Sequence, residues 1–467
     1  MAKILLLNPN YYYDIFNQSK VRSAVSRGTT PLGLVCIAAS LIKDGHGVRI
    51  LDLNLTDNPD EFLQRAIKDD KPDFVGITST TPLIKKAYHL SSLIKAIDKS
   101  ITIIVGGAHP SALPEDVLKE SSIDCVVQGE GDFIFSLIVK EGLSRSIPNI
   151  FYKNNGMIVS SCIHNDIIKD LDRLPFPAYE LLNINRYYQP RISSRRAPLG
   201  YLETSRGCYG KCIFCNKNIH GYQMRMKSVS RVVDEMDRML GLGFREIQII
   251  DDLFTADMNR AYAICEEIMR RNLKFPWYPR GGIRVDRVNE KLLKIMKRAG
   301  CYRIPFGIES GSQRIIDIVG KKISLEQAQR AVTLAKKAGL ETECYFMLGL
   351  PGECEDDLKK TIEFSVKLNP DYVKFAITIP LPGTRMFDDM SSRGQIKTKD
   401  WDKYNFSVSP KELYEHDSLS WKTIDKYYNI SHRKFYFRLS YLLKMFFKTL
   451  ANGTLLSHAR AFLQTDW

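Results

Sequence analysis

Short, nearly continuous apolar runs alternate with longer amphipathic stretches through the first 140 residues. Lys3–Asn8, Val48–Asn54, Phe74–Ser79, Ile101–Val105 and Asp124–Gln128 read as strands. Leu32–Lys43, Glu61–Asp69, Leu83–Asp98 and Pro114–Glu120 read as helices between them. Strands apolar on both faces, each followed by a helix, predict a parallel, doubly wound α/β sheet. Residues 141–194 lose this alternation and are punctuated by Leu174-Pro175-Phe176-Pro177, so they read as a connector. A second series occupies 195–400. Its predicted strands are Gly200–Thr204, Glu246–Asp251, Trp277–Gly281, Arg303–Ile308, Thr342–Leu348 and Tyr372–Thr378. Helices Ser230–Leu242, Asn289–Ala299, Leu325–Ala338 and Glu355–Leu368 lie between them, and Gly243, Gly300 and Gly339 mark helix ends. This predicts a partial (βα)6 barrel. Residues 401–467 form a helical C-terminal region.

Composition changes this picture little. At 467 residues, with 44% hydrophobic and 26% charged positions, the chain suits two globular domains and an appendage. Its formal net charge of +14 raises nucleic acid, anionic membrane and anionic cofactors as partners. No zinc-finger, RNA-recognition or homeodomain pattern accompanies that charge, so nucleic acid is not expected. The first apolar run, Ile4 to Leu7, is too short for a secretory signal, and no run reaches the roughly 20 apolar residues of a spanning helix. The expectation is a cytoplasmic protein with reduced cysteines.

The ten cysteines are unevenly placed: Cys208, Cys212 and Cys215 fall together in Thr204-Ser-Arg-Gly-Cys208-Tyr-Gly-Lys-Cys212-Ile-Phe-Cys215. The segment follows the first barrel strand, and so sits at the mouth where barrel enzymes do their chemistry. Protein iron–sulfur clusters commonly use four thiolates, and three at this spacing can hold a cuboidal cluster with one iron open. Structural zinc is the alternative. It requires four ligands, and His220 is the only nearby candidate for the fourth.

Cys-x3-Cys-x2-Cys with an aromatic, Phe214, before the last cysteine resembles the signature of radical S-adenosylmethionine enzymes. The resemblance spans about residues 195–400. It implies a [4Fe–4S] cluster on Cys208, Cys212 and Cys215, with S-adenosylmethionine chelating the open iron and Phe214 against the adenine. Asp251 ends the second strand, where many members carry Gly-Gly-Glu, so only the position carries over. Gly307-Ile-Glu309-Ser310-Gly311 and Gly349-Leu-Pro-Gly352-Glu353 look like the fourth- and fifth-strand motifs. Asp251, Glu309 and Ser310 are therefore candidate S-adenosylmethionine contacts; capping of the next helix is the competing role for Asp251 and Glu309. Arg280 and Arg284 near the third strand suit a carboxylate or a surface acid.

A doubly wound sheet binds ligands at the carboxyl ends of its strands. Those ends read Thr78-Ser79-Thr80, Gly106-Gly107-Ala108-His109 and Gln128-Gly129-Glu130-Gly131. Together with the cysteine motif they resemble the flavodoxin-like cobalamin-binding domain fused to one radical S-adenosylmethionine class. The resemblance covers roughly 1–140 and includes Thr30-Pro31-Leu32-Gly33-Leu34. It makes Thr78, Ser79, Thr80, Gly106, Gly107, His109, Gly129, Glu130 and Gly131 candidate cobalamin contacts. The Asp-x-His-x-x-Gly element of many cobalamin proteins is missing, and His46 lies in the wrong loop, so no histidine ligand to cobalt is expected. Methylthiotransferase relatives carry extra cluster cysteines in this region; here there are only Cys36 and Cys125.

Within Lys434–Leu450, Lys434, Arg438, Lys444 and Lys448 share one helical arc, opposite Phe435, Leu439, Leu442, Leu443, Phe446 and Leu450. Such a helix suits peripheral contact with an anionic membrane or a lipid-like substrate; the alternative is a helix packed on the barrel with its basic face in solvent.

The resemblance implies a cobalamin-dependent C-methyltransferase acting on an unactivated carbon of a small-molecule or lipid-like substrate, with electrons from a flavodoxin or ferredoxin. Cobalamin would take a methyl from one S-adenosylmethionine while the cluster cleaves another, and the resulting radical would remove a substrate hydrogen. A radical oxidoreductase, cyclase or C–C coupling enzyme is the alternative on the same scaffold. A cobalamin sensor would have no use for the cysteine loop.

Overall fold

A computed structural model describes residues 1–10, 29–163, 167–405, 409–451 and 453–463. The N-terminal sheet is built on β1 (Lys3–Asn8), β2 (Gly47–Asp52), β3 (Phe74–Thr78), β4 (Thr102–Gly106) and β5 (Cys125–Val127). These pair in parallel in the order β2-β1-β3-β4-β5. Period-two alternation sends Ile4, Leu6, Ile104, Cys125 and Val127 to one core, with α1 (Leu32–Lys43) and α6 (Ile134–Glu141). Leu5, Leu7, Val75, Ile77, Ile103, Val105 and Val126 enter the other, with α2 (Pro59–Asp70) and α3 (Ile84–Ile97). Helices on both faces are why these strands carry no polar alternation. Gly76 in mid-strand is required by packing: a Cβ there would lie 2.4 Å from the Phe135 ring. The expected helix Pro114–Glu120 is observed as α5 (Pro114–Leu118), preceded by a short helix that was not expected, α4 (Ala108–Ala112).

The connector expectation for 141–194 is corrected. β6 (Ile150–Asn154) and β7 (Met157–Ser160) extend the sheet antiparallel beyond β5, making it seven-stranded. Antiparallel strands alternate apolar and polar positions weakly when exposed, and β7 lies largely exposed at the sheet edge.

The second unit has β8 (Leu199–Leu202), β11 (Glu246–Ile249) and β12 (Trp277–Pro279) in one parallel set. β13 (Arg303–Glu309), β14 (Glu341–Leu348) and β15 (Tyr372–Ile377) form another. Parallel bridges Trp277–Cys301 and Ile283–Phe306 join them into a six-stranded partial barrel. Helices α7 (Val229–Gly241), α8 (Met258–Arg270), α9 (Glu290–Arg298), α10 (Gln313–Ile318), α11 (Leu325–Lys337) and α12 (Glu355–Leu368) follow the strands on the outside. Ile247, Ile249, Ile304, Phe306, Cys344 and Phe346 face those helices in the core. Their strand neighbours Gln248, Arg303, Glu343 and Tyr345 have the opposite parity and line a polar lumen. After α13 (Arg385–Ser392) the chain ends in α14 (Trp421–Tyr436), α15 (Leu439–Ala451) and α16 (Leu455–Leu463). No helix among the described residues is long and apolar enough to cross a membrane.

The tail reverses the expected arrangement. Lys444 and Lys448 reach Asp371 at 3.0 and 3.1 Å, and Arg438 donates to the Val366 carbonyl and the Asn369 side chain. Phe435 is buried, whereas Leu439, Leu442, Leu443, Phe446 and Leu450 face outward. Helical periodicity defines two faces but not which one the protein uses. Here the buried acids Asp371 and Glu341 at the strand-start end of the barrel select the cations.

Candidate functional site

The cysteine loop is held by a small clasp. β9 (Ser205–Arg206) pairs antiparallel with β10 (Arg225–Met226), closing residues 207–224 into a loop above the end of β8. Gly207 is needed at the crossing: its φ is +85°, and a Cβ would lie 2.2 Å from the Gln223 carbonyl oxygen. Ile213 donates its N–H to the Val319 carbonyl at the end of α10, and Met386 donates to the Ile213 carbonyl. Asn216 and Asn218 donate to the carbonyls of Pro382 and Gly383. The loop is thus fixed to the barrel on two sides.

Cys208, Cys212 and Cys215 are all partly exposed on this loop. A Cβ on Gly210 would lie 3.3 Å from the Cys208 sulfur and 3.9 Å from that of Cys212, so these two thiols converge on one side of the loop. Burial raises the Cys212 and Cys215 thiols, while Lys321 and Arg284 oppose this at Cys212 and Lys217 opposes it at Cys215. Burial wins at both, so these two side chains rest as thiols without iron, and the nearby cations lessen the cost of the thiolates that iron ligation requires. Phe214 is partly buried and packs against Ile315, Val319 and Leu350.

Glu309 ends β13 with φ +72°, and its carboxylate pairs with Lys321 at 2.6 Å, the same lysine that acts on Cys212. This places Glu309 at the mouth beside the cysteine loop. Asp251 and Ser310 are not there, and both expectations are corrected. Asp251 is buried and accepts from the Thr204 N–H and hydroxyl, both at 2.5 Å, and from the Ser205 hydroxyl at 2.7 Å. It knits β8 to β11. Ser310 is fully buried against the Thr361 hydroxyl, 3.1 Å away, and accepts from the Ser312 N–H. Parity was the available signal. Asp251 continues the Ile247–Ile249 face that meets the helices, whereas exposed Asp252 continues the lumen face of Gln248 and Ile250. Asp252 acts electrostatically on Cys215 and Lys217.

Between the N-terminal strand ends and the cysteine loop lies a cavity of about 260 Å³. Its sheet wall includes Thr78, Gly106, Gly107, Gly129, Glu130 and Gly131, and its barrel wall Glu203, Arg206, Ile219 and His220. Gly107, at φ +111°, turns the chain so closely over Ser79 that a Cβ would lie 2.5 Å from its carbonyl oxygen. Three expected contacts do not line this cavity. Ser79 is buried under Gly107, and Thr80 faces outward. His109 is fully buried, its ring edge-on to Trp401 at 5.0 Å and its Nδ1 3.3 Å from the Thr81 hydroxyl. Burial pushes its imidazolium down to about 4, so it is neutral. Trp401 comes from a distant part of the chain, which no local reading of the Gly-Gly-Ala-His turn reveals.

Charged residues close the cavity, and of these Arg206, Asp132, Glu203 and Arg225 were missed by the sequence reading. Arg206 clamps Asp132 with two hydrogen bonds of 2.8 and 3.0 Å and donates to Glu203 at 2.6 Å. Glu130 receives Arg225 at 2.7 Å, the Ile168 N–H at 2.9 Å and His220 Nδ1 at 3.2 Å. Burial alone would raise the Glu130 carboxyl, but His220, Arg206 and Arg225 hold it down at about 2. This network fastens the sheet to the cysteine loop.

Residues 20–139 match the B12 binding domain and residues 202–365 the radical SAM superfamily. An uncharacterized methyltransferase of Pyrococcus horikoshii is 34% identical over 456 residues, which cover 96% of this chain and 95% of the relative. The chain belongs to the cobalamin-binding radical S-adenosylmethionine family. Other relatives are the cytidylyl-2-hydroxyethylphosphonate methyltransferase of Streptomyces wedmorensis (28% identical; 84% of this chain, 82% of the relative) and the anaerobic magnesium-protoporphyrin IX monomethyl ester cyclase of Rubrivivax gelatinosus (28%; 87% and 73%). The solved structure of the cobalamin-dependent S-adenosylmethionine radical enzyme OxsB with aqua-cobalamin bound shares the fold, with TM-score 0.75 and 18% identity, over 99% of this chain and 72% of that one. As a member of this family the chain is an enzyme, and its cofactors are a [4Fe–4S] cluster, S-adenosylmethionine and cobalamin.

The residues fit these groups. Three free thiols with adjacent cations form a donor set for a cluster with one open iron. A Cβ on Gly106 would find nothing closer than 3.8 Å, and at Gly129 nothing closer than 3.5 Å, so the strand ends form a cradle that side chains would otherwise fill.

Proposed function

We propose that this enzyme is a cobalamin-dependent C-methyltransferase acting on an unactivated carbon of a small-molecule or lipid-like substrate. The observation that carries this reading is the cavity whose walls come from both domains. Gly106, Gly129 and Gly131 face Glu203, Arg206 and His220 of the clasp that holds the cysteine loop. A corrin held there would lie between the strand ends and the clasp that carries the three cysteines. When bound, cobalamin supplies a transferable methyl group, and the cluster with S-adenosylmethionine supplies a hydrogen-abstracting radical.

In this reading, residues from 1 to about 163 hold the corrin, 195–400 hold cluster and substrate, and the tail is an accessory. Cys208, Cys212 and Cys215 hold the cluster, and the Lys321-paired Glu309 receives the ammonium or ribose end of S-adenosylmethionine. Phe214 braces the loop against Ile315 and Val319 and lies against the adenine with its exposed part. Thr78, Gly106, Gly107, Gly129, Glu130 and Gly131 surround the corrin. The Arg206–Asp132 clamp orients the two units and excludes water from between them. A flavodoxin or ferredoxin delivers the electron. Ten free cysteines suit a reducing, cytoplasmic setting.

The relationship to a cyclase favours a second reading, oxidative ring formation on the same scaffold. Anaerobic reconstitution with both cofactors, a reductant and a panel of small-molecule and lipid-like substrates bearing unactivated C–H bonds separates them. Methyl transfer yields S-adenosylhomocysteine alongside 5′-deoxyadenosine. 5′-Deoxyadenosine formed with turnover of a substrate but without S-adenosylhomocysteine would replace the methyltransferase reading with the second.

A further inference from the structure

Helix α15 leaves its apolar side uncovered. Leu439, Leu442, Leu443, Phe446, Phe447 and Leu450 follow the i, i+3, i+4, i+7, i+8, i+11 pattern of a single stripe. Their exposures are 72%, 39%, 51%, 47%, 64% and 56%. Leu456 and Leu463 of α16 continue the exposed series at 87% and 84%. A globular surface seldom presents so many large apolar side chains together unless something covers them. The stripe is not a helix facing the wrong way for want of a partner inside. Lys444 and Lys448 are ion-paired to Asp371, and Tyr441 donates to the Asp371 carbonyl, so the barrel holds the opposite side.

We propose that α15 and α16 seat the enzyme on an anionic lipid surface, with this stripe in the bilayer interface. Charge selects that occupant. From Lys426 to Leu463 the sequence holds seven Lys or Arg and no Asp or Glu; the barrel holds Arg438, Lys444 and Lys448, which leaves the other four to set the charge of the outer side. Lys426, Arg433 and Lys434 of α14, the helix that leads into α15, are exposed. Two copies of this segment meeting face to face would bring like charges together, whereas an anionic leaflet attracts them and accepts Phe and Leu at the same time. The inference is independent of the methyl-transfer reading, because it uses no residue of the site.

The test is flotation of the full-length holoprotein with vesicles of phosphatidylcholine alone and of equal parts phosphatidylcholine and phosphatidylglycerol. The comparison variant is Leu443→Ser/Phe446→Ser/Phe447→Ser. These exposed positions leave iron content and thermal midpoint unchanged in the variant. Wild type floats with the anionic vesicles and not the neutral ones, added salt weakens binding, and the variant loses roughly tenfold or more of its partitioning. Wild-type protein that stays unbound on anionic vesicles, or binds both lipids equally, overturns the proposal. So does light scattering that shows a wild-type dimer made monomeric by the same variant.

Discussion

Gly106→Leu separates cobalamin binding from folding. Gly106 ends β4 and lies on the same side of the strand as Ile104, with Val127 beside it; all three line the cavity. A Cβ there meets only the Val127 carbonyl oxygen at 3.8 Å and the Val127 Cβ at 4.0 Å, and φ is not in the left-handed region. The backbone therefore accepts the substitution, and the rest of the side chain projects into the cavity. Its four carbons enter the cavity of about 260 Å³ in which the corrin would sit. In the cofactor-free protein the new apolar surface fills empty space, so the thermal midpoint holds or rises. A bound corrin must instead be overpacked, at about 1–3 kcal/mol, which weakens binding by roughly 5- to 150-fold. Cobalamin retained through gel filtration is read from its absorbance, with iron per chain as the internal control. A variant that keeps stoichiometric cobalamin and a normal cluster would refute this placement of the corrin.

Replacing any one of Cys208, Cys212 or Cys215 with Ala should abolish the reconstituted cluster, measured as iron and sulfide per chain, because two thiolates do not hold it. Paramagnetic resonance of the cob(II)alamin form should show no nitrogen splitting from a protein histidine: His109 is buried on Trp401, and His220 is engaged by Glu130 at 3.2 Å and Glu203 at 3.4 Å. Glu130 has its carboxyl depressed from 4.5 to about 2, so its contribution is complete above about pH 5 and is lost as pH falls towards 2. The shift corresponds to about 3 kcal/mol, and Glu130→Gln should flatten the acid limb of a stability-against-pH curve relative to wild type.

Most of the architecture was legible along the chain. Buried parallel strands must be apolar on both faces, and no other element repeats that pattern between amphipathic helices. Five N-terminal strands and six barrel strands consequently lie within a few residues of where the pattern puts them. β6 and β7 escaped: β6 has only three buried residues before its turn, and β7 lies largely exposed at the sheet edge, so neither gives a long apolar run. Within the site, the cysteines were legible because cluster ligation needs thiolates at a fixed local spacing. Gly106, Gly129 and Gly131 line the cavity at the strand ends where a doubly wound sheet was expected to leave room for a ligand.

What tertiary structure decided is which of two neighbouring polar residues faces the chemistry, and which side of a helix faces the protein. Asp251 and Asp252 are adjacent acids, and only the alternation imposed by the helices behind β11 sends one to the Thr204 clasp and the other towards the cysteine loop. His109 looks like a ligand until Trp401, nearly three hundred residues away, covers it. The Arg206–Asp132 clamp joins residues 74 positions apart, and neither carries a local signal of the other. In the tail, the helical repeat set a basic face against an apolar one. Buried Asp371 and Glu341, supplied by the barrel, then drew Lys444 and Lys448 inward, because a buried carboxylate without a counter-charge costs more than an exposed leucine.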